Sequence, residues 1–431
     1  QNPASLSSLR GIQVSVGGLQ HSGRIEQIQH YAPVKYYSNL SLLLEGLTGQ
    51  IPDPADSLQV TWATGAKDTI QRPFDSIGPN WASSASESRP IQAFLAVPFK
   101  FGEAEFVAGA GVAEYADLDY YYQQNNVLSP SILSERPLPT PRPPNDATPT
   151  LVDWSQYLVS REGFIRGYGL ALSGSLPELG ITAGVSGMIL QGESDDFEQS
   201  VSRGRMTFFT NSFRLDSAYG RVTKTTTSEY TGEELSLAFL YSTKNVTLGF
   251  TVKPPTRIAR SFTSLVSQDS TGVPSVTTVT GKDRVRLPWR GSIGLALVPR
   301  EDLVIFLQYD IRPYESAGYK VGGTETFPWM SSSTFGIGVG YQAASWLQLR
   351  GGIRGRAEVF EQEGNPLPGE PVSTSVYSAG AGIRYGGMHL NVVYEYSLMK
   401  YQDVWGSAIS LNKAENQLVA ASLAYEIPWE W

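Results

Sequence analysis

Charged side chains in two stretches of the chain are spaced to act together. Arg350 and Arg354 lie in LQLRGGIRG, and Arg384 and Glu395 lie in GIRYGGMHLNVVYEY, all in the phase opposite the apolar residues of their segments. Gln348, Arg356 and Asn391 share that phase. Two guanidinium forks such as Arg350 and Arg384 suit a carboxylate head group, bidentate and charge-assisted. The plainer reading is a network of arginines, carboxylates and water that solvates a polar interior. Other chemistry finds no support. His21, His30 and His389 are scattered, Cys is absent, and neither HExxH nor CxxC occurs, so no metal site is expected. GxSxG is also missing. A wall-built Ser–His hydrolase would need His389 beside a serine. The Gly336, Gly338, Gly340 spacing lacks the helix that a dinucleotide fingerprint needs. We therefore expect no catalytic residue, no cofactor and no enzyme. A net charge of −8 without a basic block argues against nucleic acid.

The elements that carry these residues are read from alternation. In residues 334–355, Phe335, Ile337, Val339 and Tyr341 alternate with glycines and Gln342. A turn follows at residues 343–346, and then Leu347, Leu349 and Ile353 alternate with Gln348, Arg350 and Arg354. Period-2 alternation over about ten residues per strand, with a minimal turn, is the lettering of a transmembrane β-hairpin. The unit recurs, with tight turns at 100–103, 176–179, 242–245, 299–302 and 386–387. Long polar excursions separate the hairpins, notably residues 116–162 and 191–233, read as extracellular loops. Such asymmetry is expected of an outer-membrane barrel and not of a soluble sandwich. No apolar run approaches the roughly 18 residues of a membrane helix.

The expected fold is all-β, a transmembrane antiparallel up-and-down barrel of about 14 strands, rising to 18 if two doubtful hairpins in 22–88 and 191–233 span. One domain covers 10–431, preceded by a short segment at 1–9. In the last strand, Tyr425, Trp429 and Trp431 share the outward phase, an aromatic terminus that barrel assembly recognises. The chain opens at Gln1 with no charged-then-apolar leader, as expected of an exported bacterial outer-membrane protein after signal removal. In the first excursion, Tyr120, Tyr121, Tyr122 and Leu133 put apolar mass where water would select polar residues. They read as a capture surface or as packing that closes the barrel mouth.

Asn2-Pro3-Ala4 with Leu6, the hairpins at 234–255 and 287–310, and the hairpin at 334–355 together resemble the FadL/TodX family of outer-membrane long-chain fatty acid and hydrocarbon transporters. The resemblance implies a plug carrying Asn2, Pro3 and Ala4, reduced here to a remnant because the motif starts at residue 2. It also implies lumenal binding and a kinked strand that opens a lateral exit. The expected function is passive uptake of small hydrophobic molecules by loop capture, lumenal binding and lateral release. The expected partners are outer-membrane lipid, the hydrophobic solute and, through the extracellular loops, a possible protein. Two rivals are an accessory or shuttle subunit of a secretion or surface assembly, and a general porin.

Overall fold

Segments that alternate apolar and polar residues, joined by tight turns, satisfy their backbones by pairing antiparallel and closing the sheet on itself. The computed structural model, which describes residues 2–30, 58–61, 80–129, 147–208, 212–216, 220–269, 274–362, 369–405 and 408–428, has this closed form. Fourteen strands make the wall. They are β1 Ile12–His30, β2 Trp81–Phe101, β3 Ala104–Asp117, β4 Thr150–Leu176, β5 Ile181–Phe208, β6 Gly220–Ser242 and β7 Val246–Lys253. The second half comprises β8 Arg290–Arg300, β9 Leu303–Arg312, β10 Ser332–Ala344, β11 Leu347–Glu361, β12 Pro371–Tyr385, β13 Met388–Trp405 and β14 Ala408–Ile427. Neighbours in sequence pair in space, and β14 returns to β1, from Ile12 opposite Ile427 to His30 opposite Ile409.

Side chains sort by phase as the alternation requires. Phe335, Ile337, Val339 and Tyr341 are exposed on the outer face of β10, as are Leu235, Leu237, Phe239 and Tyr241 on β6. Exposed apolar residues in one phase on strand after strand form a band that only lipid would cover favourably. The tight turns fall where the sequence places them. At Gly386 and Gly387 both φ angles are positive, 53° and 83°, so glycine fits where other residues would be strained.

The excursions differ from expectation. Residues 191–208 and 220–233 continue β5 and β6 as one paired ribbon, with Ser202 opposite Gly220. Within 116–162, Tyr120–Ser129 pairs with the upper part of β4. Thr256–Asp269 and Pro274–Leu287, where no apolar alternation marks a strand, form a hairpin that continues β7 and β8. Leu58–Thr61 pairs with Ser212–Asp216 near the end of β5. The reason is physical. Above the apolar band both faces of a strand meet water or a polar lumen, so no apolar alternation marks it. Of the doubtful 22–88 stretch, residues 22–30 extend β1, and 39–49 lie outside the described residues. One side of the barrel, from β3 to β8, is therefore much taller than the other.

Candidate functional site

Asn2, Pro3 and Ala4, the residues expected of a plug, make a local structure of their own. The Asn2 side chain accepts the Ala4 amide at 2.9 Å, Pro3 supplies the fixed φ of a first turn, and Pro3–Ser8 forms a short 3₁₀ helix. It lies inside the barrel against β3 to β6. Ala4 is fully buried. A Cβ on Gly184 of β5 would come within 2.4 Å of the Ala4 amide nitrogen and 2.6 Å of the Pro3 carbonyl carbon, so the wall there admits the plug only as glycine.

Next to the plug the wall has a gap in its ladder. The pairing of β2 with β3 stops at Gln92 opposite Ala113. Against β1 the β2 register shifts here, with Gly17 opposite Gln92 but Gly18 opposite Pro90, leaving Ile91 extra. A bulged residue beside a proline that has no N–H bends β2 away from β3. Arg89 crosses the gap. Its guanidinium meets Glu114 at 2.6 Å and Asp117 at 2.7 Å, and it also pairs with Glu87. Above, Trp81 packs edge-on against Tyr121 and Tyr122, at 5.6 and 6.5 Å between ring centroids, and Gln124 donates to Ser410 at 3.1 Å. Backbone pairing thus bounds the seam below, the Arg89 ion pairs bridge it, and aromatic packing lies above.

A cavity of about 990 Å³ adjoins both features, near the upper end of the size range of small-molecule sites. Asn2, Pro3 and Leu6 of the plug border it, as do Gln92, Ala113 and Glu114 at the seam. Its apolar body includes Ile165, Met188, Tyr230 and Ile258. Leu170 of β4, opposite Ala110 of β3 in an unbroken ladder, also borders it.

Two charged clusters close the cavity on other sides. In the upper one, Arg260 joins Asp196 at 2.9 Å and Asp283 at 3.2 Å, and Arg161 holds Asp196 at 2.6 Å. Tyr319 donates to Asp283. Two cations face two carboxylates, so this cluster is neutral. The other surrounds Glu234, whose side chain is fully buried. Lys253 meets it at 2.6 Å, Arg290 at 2.5 Å, and the Tyr115 hydroxyl donates to it at 2.8 Å. Two cations share one carboxylate, leaving a surplus positive charge, and the buried Arg290 Nε finds no acceptor among the described residues.

Sequence reasoning missed Tyr115, Glu234, Lys253 and Arg290. A signal was present: Lys253 directly precedes Pro254-Pro255, and Arg290 follows Pro288-Trp289. Proline breaks beside single cations on successive strands mark places where a ladder is interrupted around something. The residues singled out from sequence lie elsewhere. Arg350 and Arg354 face a second, polar lumenal chamber of about 660 Å³. Arg354 bonds Glu395 at 2.8 Å. Among the described residues Arg350 bonds only Gln348 on its own strand, and its backbone stands opposite Gly380, four residues or about 13 Å along the strand from Arg384. Among the described residues, no contact joins the two guanidinium groups to a common partner. Of the tyrosines, Tyr120 is exposed, Tyr121 bonds Gln123, and Tyr122 is buried. Tyr425 is exposed on the outer face, while Leu133, Trp429 and Trp431 lie outside the described residues.

No family model matches the sequence, and no curated protein matches it. Solved structures do. A FadL homologue of Pseudomonas aeruginosa superposes with a TM-score of 0.58 at 12% identity, covering 99% of this chain and 92% of the other. The toluene transporter TodX of P. putida gives 0.56 at 14% identity, covering 100% and 94%. A deletion variant of the TodX monoaromatic hydrocarbon channel gives 0.55 at 15% identity over 99% and 93%. With a closed 14-stranded wall over nearly its whole length, the chain has the FadL/TodX fold.

Proposed function

We propose that the protein is a bacterial outer-membrane channel for passive uptake of small hydrophobic molecules, fatty acids or hydrocarbons. The long-hairpin end faces outward, solute enters from that side, rests in the 990 Å³ cavity and leaves sideways through the β2–β3 seam. One observation carries this reading: a largely apolar cavity bordered by Asn2, Pro3 and Leu6 adjoins Gln92, Ala113 and Glu114, where the β2–β3 ladder stops. An apolar solute gains nothing from a polar lumen, and a lateral route delivers it directly to lipid. Exposed Tyr120 beside the Trp81 cluster supplies the first apolar contact at the mouth. Within the cavity, the Lys253–Arg290 pair offers a carboxylate head group more charge than Arg350 and Arg384, which are apart. The solved structures called hydrocarbon channels support the general class.

The test is uptake of radiolabelled toluene and of a medium-chain fatty acid by cells lacking other hydrophobic channels. Ala113→Trp adds bulk at the seam rim and should cut uptake of both about tenfold or more. Gly187→Leu is the control, because an added Cβ there meets nothing within 4 Å. Unchanged uptake through a normally assembled Ala113→Trp barrel would refute the lateral route.

A further inference from the structure

Above the apolar band, the outer face of the β7–β9 sector carries cations that the uptake reading does not use. Arg260 and Asp283 point into the lumen. Alternation therefore puts Arg257, Lys282, Arg284 and Arg286 on the outside, and all four are exposed. The register then sets like charges directly opposite each other. Arg257 stands across from Arg286, and Arg284 from Lys320. Such cross-strand pairs are destabilising on their own. Neutralisation within the chain is partial: Arg286 meets Glu325 at 3.3 Å, Glu325 also stands opposite Lys320 in register, and Glu233 stands opposite Arg257. Among the described residues, no carboxylate lies within ion-pair distance of Lys282, Arg284 or Lys320.

What lies below the cations identifies their counter-charge. On the same strands the outward residues become apolar within one break, with Val252 and Phe250 exposed below Pro254-Pro255 and Trp289 and Ile293 below Pro288. An aromatic at this height marks a membrane–water interface. A ligand matching both features has acyl chains for the band and anionic oxygens a few ångströms higher. Adjacent strands about 4.8 Å apart and alternate residues about 7 Å apart give the patch room for more than one phosphate.

We propose that Arg257, Lys282, Arg284, Arg286 and Lys320 form a binding site for the phosphorylated headgroup of a glycolipid in the outer leaflet. Bidentate guanidinium–phosphate bonds cancel the cross-strand repulsion and fix the tall wall at a set depth in the membrane. The site rests on the outward orientation given above, but its chemistry can be measured without reference to transport.

Native mass spectrometry of the full chain in detergent, titrated with bis-phosphorylated lipid A, tests it. The wild type should hold the lipid. Arg284→Gln combined with Lys320→Gln should weaken binding about tenfold or more, as loss of charged hydrogen bonds predicts. Dephosphorylated lipid A should bind the wild type as weakly. Thermal stability of the double variant in lipid-free detergent should hold or rise, because an opposed like-charge pair has been removed. Equal binding by wild type and variant, or equal binding of both lipids, would overturn the proposal. Displacement of the lipid by an equal concentration of inorganic phosphate would also overturn it, indicating a free-anion site. Phosphate-dependent lipid binding in a chain that moves no hydrocarbon would support this site and refute only the uptake reading.

Discussion

The lumen holds two kinds of arginine, on opposite sides of the barrel. On the tall side and at the β2–β3 seam that borders it, Arg89, Arg260 and Arg290 are 11–17% exposed, and each reaches a carboxylate on a different strand. On the low side, Arg354 and Arg356 are 46% and 44% exposed, and Arg356 reaches only Glu358, two residues along its own strand. Buried cross-strand pairs hold strands in register where water is scarce, and losing one partner strands a charge. Exposed pairs exchange freely with water and contribute little. The same residue type therefore builds a wall on one side and wets a chamber on the other.

The severest way to break this contrast is at Glu234. Glu234→Ala leaves Lys253 and Arg290 facing each other without their carboxylate, a loss of about 3–5 kcal/mol by analogy with other broken buried pairs. Heat-modifiable mobility on gels should show little assembled barrel. Wild-type stability in that variant would mean the tall-side pairs are as solvated as the low-side ones.

A second substitution acts on the 3₁₀ turn at Pro3–Ser8. Gly184→Val puts a side chain where the Pro3 and Ala4 backbone lies, so the 3₁₀ turn should leave its seat while the wall survives. Conductance in planar bilayers should rise well above that of the wild type. An unchanged conductance would show that the plug does not limit water passage on the tall side.

The subtlest test sharpens the contrast by ligand. Lys253→Met removes the surplus charge and keeps the stem, so fatty-acid affinity should fall roughly 10- to 100-fold, as one lost charged hydrogen bond predicts. Toluene binding should be unchanged. Arg350→Met on the low side should move neither affinity, and stability should stay within about 0.5 kcal/mol. Equal losses for both ligands at Lys253 would mean that it shapes the cavity and does not read a head group.

The membrane-crossing part of the fold was legible because lipid imposes a pattern. Phe335 to Tyr341 alternate apolar with small because one face meets hydrocarbon and the other a lumen. The tight turns were legible through pairs such as Gly386-Gly387. Where β4 to β6 rise out of the band that constraint ends, and a segment such as KTTTSEYTGEE, a paired strand, reads as a loop. The site was less legible for a different reason. Glu234, Arg290 and Tyr115 are far apart in sequence and meet only across the closed wall, so no local spacing announces them. Arg350 and Arg384 drew attention through local phase, which reports the face of a strand but not the height along it.

The pairing of β14 with β1 has a consequence for how the molecule is made. Ile12 and Ile427 stand opposite each other although nearly the whole chain separates them. Loop-closure entropy grows only logarithmically, so joining them costs about 4 kcal/mol more than closing a four-residue turn. The kinetic burden is greater than the thermodynamic one. β14 follows the other wall strands in the chain, and until it pairs with β1 the sheet carries two bare edges, β1 on one side and β14 on the other. An intermediate of that kind pairs with whatever strand it meets first. The ring therefore requires a chaperoned last step, and the yield of functional molecules is decided by the speed with which the final strand finds the first.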